Sequence, residues 1–332
     1  MSGLDYSGVI ELLDRAKSVA LCGHLNPDGD CLGSVLALTH ALRAMGKEVA
    51  PLLATTAQPA NLDFMPGYAE FVPAAEFTAS PDLFVMLDVP NEERMADAAA
   101  VKQRCKASLK IDHHAGPEDI VDAAIIDTDA AAVGVMVWEL VQQLPVEATP
   151  AIAQCCYTAL ITDTGSFRYQ NADARAFDAA AQMVAAGADP AFVATNVYQR
   201  KSVAAVQLEA LVGERIHTML DGRYVYSWCT DDDLKRLGAT KDDTEEITDV
   251  VRQIAGPEVS VILRQNADDS IRGSIRSKGD HDVQAIAIKL GGGGHKAASG
   301  FTLHGDLRLA LQQVADAVAD SYDVPHEAVA AL

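Results

Sequence analysis

Five short segments in the first half of the chain carry side chains that could do chemistry. The first, at residues 23–34, reads Gly-His-Leu-Asn-Pro-Asp-Gly-Asp-Cys-Leu-Gly-Ser. His24, Asp28 and Asp30 fall at even offsets, so an extended loop aims all three the same way. Asp-Gly is also ordinary turn chemistry, and a turn with a helix cap would explain part of this segment. The second is Asp88, which ends an apolar run at 83–87. The third is Asp112-His113-His114, again directly after an apolar run, where packing gives little reason for two histidines. The fourth, Asp127-Thr128-Asp129 before three alanines, reads more simply as a helix cap. The fifth is Thr162-Asp163-Thr164-Gly165-Ser166-Phe167-Arg168, with an acid and an arginine at a helix end.

His24, Asp28, Asp30, Asp88, His113 and Asp163 together offer oxygen and imidazole donors. So many carboxylates in one place repel one another unless positive charge is supplied. Divalent cations supply it. Mixed His/Asp ligation makes manganese the expected ion, with iron, cobalt, magnesium and zinc as alternatives. Two such ions about 3.5–4 Å apart, bridged by one carboxylate, make a site for in-line phosphoester hydrolysis.

Strand-then-helix alternation would position these groups. Runs at 18–23, 48–54, 83–88, 108–112 and 124–127 read as strands; 32–45, 92–102, 130–144, 151–163 and 173–186 read as helices. That order predicts an α/β fold whose parallel sheet is covered on both faces. Ligands bind such a sheet outside the carboxyl ends of its strands, which is where the acids and histidines fall. The pattern changes near Gly187. Ala188-Asp189-Pro190 breaks it, and 190–214 reads as one polar helix. Strands at 224–229, 259–264 and 271–276 and helices at 242–255, 283–290 and 307–322 then suggest a smaller α+β domain. The expected organisation is a catalytic domain at 1–187, a helical linker at 188–214 and a substrate-binding domain at 215–332. Four consecutive glycines, 291–294, interrupt the second domain.

Composition narrows the function. The chain has 332 residues, enough for about two domains at roughly 150 residues each. Its 26 basic against 47 acidic residues give a net charge of −21, which excludes a uniformly basic nucleic-acid coat. A short anionic substrate is still compatible with cations or a local basic patch. The six cysteines form no C-x-x-C pair and read as reduced, mostly buried thiols. No basic-then-apolar leader is seen at the start, and no apolar run reaches the ~18 residues that span a bilayer. A cytoplasmic protein with no membrane partner is expected.

His24-x-Asn26-x-Asp28-x-Asp30-x-x-Gly33-Ser34, Asp88, Asp112-His113-His114 and Thr162-Asp163-Thr164-Gly165 resemble, in order, the motifs of the DHH phosphoesterase superfamily. Ser274-x-Arg276 and Gly291-Gly-Gly-Gly-His295-Lys296-Ala-Ala-Ser-Gly300 resemble the DHH-associated C-terminal domain. Length and domain content are similar to the branch of nanoRNase/pAp phosphatases. One departure is Gln170-Asn171-Ala172, where a Ser-Asn-Thr-like run is expected. The resemblance implies one metal held by His24, Asp28 and Asp88, and a second held by Asp30, Asp88, His113 and Asp163, with Asp88 bridging. It implies that His114 faces the scissile phosphate, that Asp112 orients the histidines, and that Ser274, Arg276, Gly293, Gly294 and His295 contact substrate.

The expected reaction is attack on phosphorus by a metal-bridging hydroxide, with a nucleoside 3′ oxygen leaving. Substrates would be short RNA, released as nucleoside 5′-monophosphates, or 3′-phosphoadenosine 5′-phosphate (pAp), released as AMP. A long nucleic-acid track is not expected on so acidic a chain. The nearest alternative is a phosphodiesterase for cyclic di-AMP or linear pApA. A manganese pyrophosphatase is disfavoured by the glycine-rich segment, and a RecJ-type exonuclease by the absence of extra domains. A non-catalytic nucleotide- or RNA-binding module is the alternative of another class. A homodimer is compatible with the sequence but not argued by it.

Overall fold

A computed structural model describes residues 4–56, 59–116, 120–244 and 247–329. The chain divides into two compact units, Met1–Arg200 and Lys201–Leu332. In the first, the elements run α1 (Ser7–Arg15), β1 (Ser18–Cys22), α2 (Gly29–Ala44), β2 (Glu48–Leu53), β3 (Val72–Pro73), β4 (Leu83–Leu87), α3 (Ala98–Lys102), β5 (Ala107–Asp112), β6 (Ala123–Ile126), α4 (Val133–Val141), α5 (Pro150–Asp163), α6 (Ala174–Ala185) and α7 (Pro190–Tyr198). All six strands are parallel, in the order β3-β2-β1-β4-β5-β6. The order reverses between β1 and β4, so the crevice for a ligand opens at their carboxyl ends.

Both faces of this sheet are buried, which is why β4 is apolar throughout. Val19 and Leu21 of β1, with Leu83, Val85 and Leu87 of β4, join one core with α1, α2, α4 and α5. Ala20, Cys22, Phe84 and Met86 pack on the other face with Val101 of α3. Burying one such large apolar side chain contributes roughly 1.5–3 kcal/mol. Three helices of the first core approach closely at glycines. A Cβ on Gly33 of α2 would lie 2.6 Å from the Cys155 carbonyl oxygen of α5. One on Gly134 of α4 would lie 2.3 Å from Ala159 Cβ, also on α5.

The second unit contains α8 (Val203–Glu214), β7 (His217–Met219), β8 (Tyr224–Thr230), α9 (Asp231–Leu237), α10 (Ile247–Arg252), β9 (Val259–Gln265), β10 (Ser270–Ser277), α11 (Val283–Lys289), β11 (Gly293–His295), β12 (Ala298–His304) and α12 (Leu307–Ser321). Its sheet is ordered β11-β12-β10-β9-β8-β7 and is antiparallel except for the β8–β9 pair.

Several elements differ from the sequence reading. The stretch 190–214 forms two helices, because Asp189 caps α7 and Ser202 starts a second, capped helix at α8. Residues 92–102 form a short 3₁₀ turn, Glu92–Met95, and then α3. Residues 242–255 give a 3₁₀ turn at Asp242–Thr244 and the shorter α10; positions 245 and 246 lie outside the described residues. Asp127 does not cap α4. Its carboxylate accepts the Asp129 amide, whereas Asp30 caps α4 from 103 residues away, accepting the amides of Val133 at 2.7 Å and Gly134 at 2.8 Å.

Candidate functional site

The strand ends of the first unit deliver the acids and histidines together. His24 follows β1, Asp28 caps α2 by accepting the Cys31 amide at 3.0 Å, and Asp30 lies in the first turn of α2. Asp88 follows β4, and His113 and His114 follow β5. Asp163 ends α5.

Asp88 lies at the centre. Its Oδ2 is 3.3 Å from His24 Nε2, and its Oδ1 is 3.6 Å from His113 Nε2 and 3.3 Å from His114 Nδ1. Asp88 has a φ of +60°, a left-handed conformation that asparagine and aspartate adopt more readily than most residues. Backbone strain of that kind at a strand end points to a positional demand on the side chain.

His24 Nε2 is 3.8 Å from Asp28 Oδ2. His113 Nε2 is 3.9 Å from Asp30 Oδ2, and His113 Nδ1 is 3.9 Å from Asp163 Oδ2. The outer nitrogens are anchored on carbonyls. His24 Nδ1 lies 2.8 Å from the Leu25 oxygen, and His113 Nδ1 lies 3.2 Å from that of Ala130. Each ring therefore turns Nε2 toward Asp88, as a ligating histidine does when a backbone carbonyl fixes its tautomer.

With the protein's own charges alone, the cluster balances itself with protons. Burial opposes charge on His24, but Asp28 and Asp88 outweigh it and raise its pKa to about 11. Burial likewise opposes charge on His114, while Asp112 and Asp88 lift it to about 10. Desolvation pushes Asp163 up to about 7; Asp28 and Asp88 add to the rise against the opposing pull of His113. Desolvation and the neighbouring carboxylates Asp88, Asp163 and Asp28 hold Asp30 well above its ordinary value. Burial acts to raise Asp88 too, yet His114 and His24 keep it well below the usual carboxylate range.

These residues fit divalent cations. His24, Asp28 and Asp88 offer ligand atoms all within 4.8 Å of one another, and so do Asp30, His113 and Asp163. Asp88 turns one oxygen to each group, and its buried Oδ1 accepts no hydrogen bond. A buried carboxylate oxygen left in that state is costly unless a cation meets it.

Asp112 supports the cluster from below. It is fully buried, and its Oδ1 accepts the His114 amide at 3.0 Å and faces His114 Nδ1 at 2.9 Å. Two supporting residues escaped the sequence reading. Arg94 Nη2 stands 3.2 Å from His24 Nδ1 and donates to the Leu25 carbonyl at 3.4 Å. Lys110 lies fully buried beside Asp112, and a lysine inside an apolar strand was the available signal.

In the second unit, the β11–β12–β10 ladder collects the remaining candidates. Ala298 pairs with both His295 and Arg276, and Gly300 with both Gly293 and Ser274. These two rows form one patch, with Gly293 and His295 on an exposed edge strand. Gly294 has a φ of +139°, and a Cβ there would lie 2.7 Å from Ser299 Cα, so the close turn requires glycine. Arg276 Nη1 donates to the Ile275 and Ser299 carbonyls at 3.0 and 3.2 Å. Ser274 is buried and accepts Arg264 Nη2 at 2.7 Å.

The first unit thus defines an α/β protein with a carboxylate–imidazole centre at the switch point of a parallel sheet. Residues 18–160 match the N-terminal domain of the DHH family, and residues 221–320 match the DHHA1 domain. The chain is 31% identical to a bifunctional oligoribonuclease and PAP phosphatase NrnA from Thermus thermophilus, over 93% of this chain and 92% of that protein. It is 25% identical to a cyclic-di-AMP phosphodiesterase GdpP from Geobacillus thermodenitrificans, covering 94% of this chain but 49% of that protein. An exopolyphosphatase-related protein from Bacteroides fragilis has the same fold, with a TM-score of 0.87 at 24% identity over 94% of this chain and 95% of that one. The chain belongs to the DHH family, in the branch of the bifunctional oligoribonucleases and PAP phosphatases.

Proposed function

We propose that the chain is a cation-dependent hydrolase that degrades oligoribonucleotides of a few residues to nucleoside 5′-monophosphates and converts pAp to AMP. The observation that carries this reading is Asp88, whose two oxygens face two separate histidine-containing groups. His24, Asp28 and Asp88 would hold one divalent ion; Asp30, Asp88, His113 and Asp163 would hold a second. Manganese is the ion the mixed donors favour. When bound, such ions would neutralise phosphate oxygens and acidify a water.

The chain's own groups do the rest. His114, oriented by Asp112, donates to a non-bridging phosphate oxygen as charge develops there. Arg276, His295 and the amides around Gly293 and Gly294 bind a substrate phosphate, and Ser274 steadies that patch through Arg264. In both substrates the bond that breaks joins phosphorus to a nucleoside 3′ oxygen, so one site serves both. In this assignment residues 1–187 carry the chemistry and 215–332 recognise the phosphate, joined by 188–214. A cytoplasmic location agrees with six free thiols. Among the described residues no helix is long and apolar enough to cross a membrane.

The test is a substrate panel with manganese: di- to pentaribonucleotides, pAp, pApA, cyclic di-AMP and pyrophosphate, compared by kcat/KM. Highest efficiency on short RNA and pAp is expected. Preference for cyclic di-AMP would overturn the substrate assignment, and no hydrolysis of any member would leave a binding module.

A further inference from the structure

Among the described residues, Lys110 is the one lysine that is fully buried, with no exposed surface. It sits inside β5, opposite Met86 of β4, on the sheet face otherwise packed by Phe84 and Met86. An aliphatic residue would fill that position without desolvating an ammonium. The contacts of Lys110 indicate why a cation is there. Its Nζ is 3.1 Å from Asp112 Oδ2 and donates to the Pro90 carbonyl at 3.2 Å. The turn after His114 closes over it, since a Cβ on Gly116 would lie 3.3 Å from Nζ and 2.4 Å from the Pro90 oxygen.

Three segments therefore meet on one ammonium. Pro90 follows Asp88 by two residues, Gly116 follows His114 by two, and Asp112 holds His114. The Asp112 carboxylate has a partner at each end: the Lys110 ammonium is its ion-pair partner at Oδ2, an oxygen that accepts no hydrogen bond, and the amide and ring of His114 meet Oδ1. A charge partner at one oxygen and hydrogen bonds at the other oppose rotation of the carboxylate about its own axis.

We infer that Lys110 is a positioning residue for the hydrolytic reaction, a buried clamp that fixes Asp112 and through it the His114 imidazole. The inference rests on the function proposed above. Lys110 contacts none of the proposed cation ligands directly, and its one carboxylate partner is Asp112, so its loss acts first on Asp112 and His114.

The experiment compares Lys110→Met, Asp112→Asn and the double variant. Lys110→Met should lower kcat on a short ribonucleotide on the order of 10²-fold, as misplacement of a catalytic group by about an ångström does. KM and manganese affinity should stay within about threefold, because the groups that set them are not displaced. The double variant should be within about threefold of Asp112→Asn, since the clamp reaches His114 through Asp112. Multiplied losses in the double variant, or a wild-type rate in Lys110→Met, would overturn the inference. If Lys110→Met does not fold, the double variant still decides the matter against Asp112→Asn. Removing both members of a buried pair is tolerated far better than removing one.

A second readout does not depend on turnover. Proton NMR of histidine-labelled protein at fixed pH should show a downfield His114 Nδ1–H resonance in the wild type that is lost in Lys110→Met. Its survival in the variant would overturn the clamp. A wild-type protein with the resonance but no hydrolysis would overturn the proposed function and leave the clamp supported.

Discussion

Asn171 donates its side-chain amide to both the main-chain and the carboxylate oxygen of Asp163, at 3.1 and 3.4 Å, and to the Ala131 carbonyl at 3.0 Å. It thereby ties the end of α5 to the turn before α4. Asn171→Ala should weaken manganese binding ~10–100-fold, the usual penalty for losing a residue that orients a ligand. Calorimetric titration checks this, and an unchanged affinity would remove Asn171 from the cation site.

Asp88 is best probed with Asn, because Ala at a φ of +60° would add backbone strain to any chemical effect. Asp88→Asn keeps the shape and removes the charge shared by the two histidine groups. It should fold, lose most of its bound cation, and slow by at least about 10³-fold, a barrier change of about 4 kcal/mol. Circular dichroism, metal analysis and rate measurement on one preparation separate this from unfolding.

Cation binding must displace the protons that balance the cluster. Asp163 titrates at about 7, so below that pH it carries a proton that competes with a cation; as pH rises through 7 the proton leaves and affinity increases. His24, held to about 11, is a further proton that the cation must displace at any working pH. Titrations at pH 6, 7 and 8 in buffers of different ionisation enthalpy should show net proton release and tighter manganese binding at the higher pH. A pH-independent affinity would contradict the proton-balanced cluster.

Much of this centre was legible in the sequence because parallel strands announce themselves as short apolar runs ending in polar residues. Asp88 and Asp112 lie at such ends, and the switch point between β1 and β4 places Asp88 beside His24. The parts that were not legible depend on long-range partners. Asp127 has every local mark of a helix cap, yet Asp30 does that work from a distant helix. The break between α7 and α8 turns on Ser202, a cap inside a stretch with no proline or glycine near it. Asn171 read as a departure from a motif, and only its contacts show what it holds.

The patch in the second unit predicts a different defect. Arg276→Ala and His295→Ala should raise KM for short RNA with manganese content unchanged, because their neighbours in the β11–β12–β10 ladder include none of the proposed ligands. Loss of cation without loss of substrate affinity would reverse this division of roles.

Length selection follows from the charge. A net −21 disfavours a long polyanion beyond the few residues that contact its end. Two- to five-nucleotide RNA should be hydrolysed far more efficiently than a 24-mer. The salt dependence should be shallow, as for a protein that neutralises few phosphates. Equal efficiency on the 24-mer would contradict this.

The parallel sheet also dictates when, during folding, activity can first exist. β1 pairs with β4, more than sixty positions further along the chain, and Asp163 arrives from a helix later still. Pairings this distant in sequence close slowly, and no single hairpin or helix can assemble the whole centre. Nascent chains lacking α5 should therefore be inert, and recovery of hydrolysis after denaturation should trail recovery of helical signal. In a refolding experiment, turnover becomes a clock for the last long-range closure of the first unit.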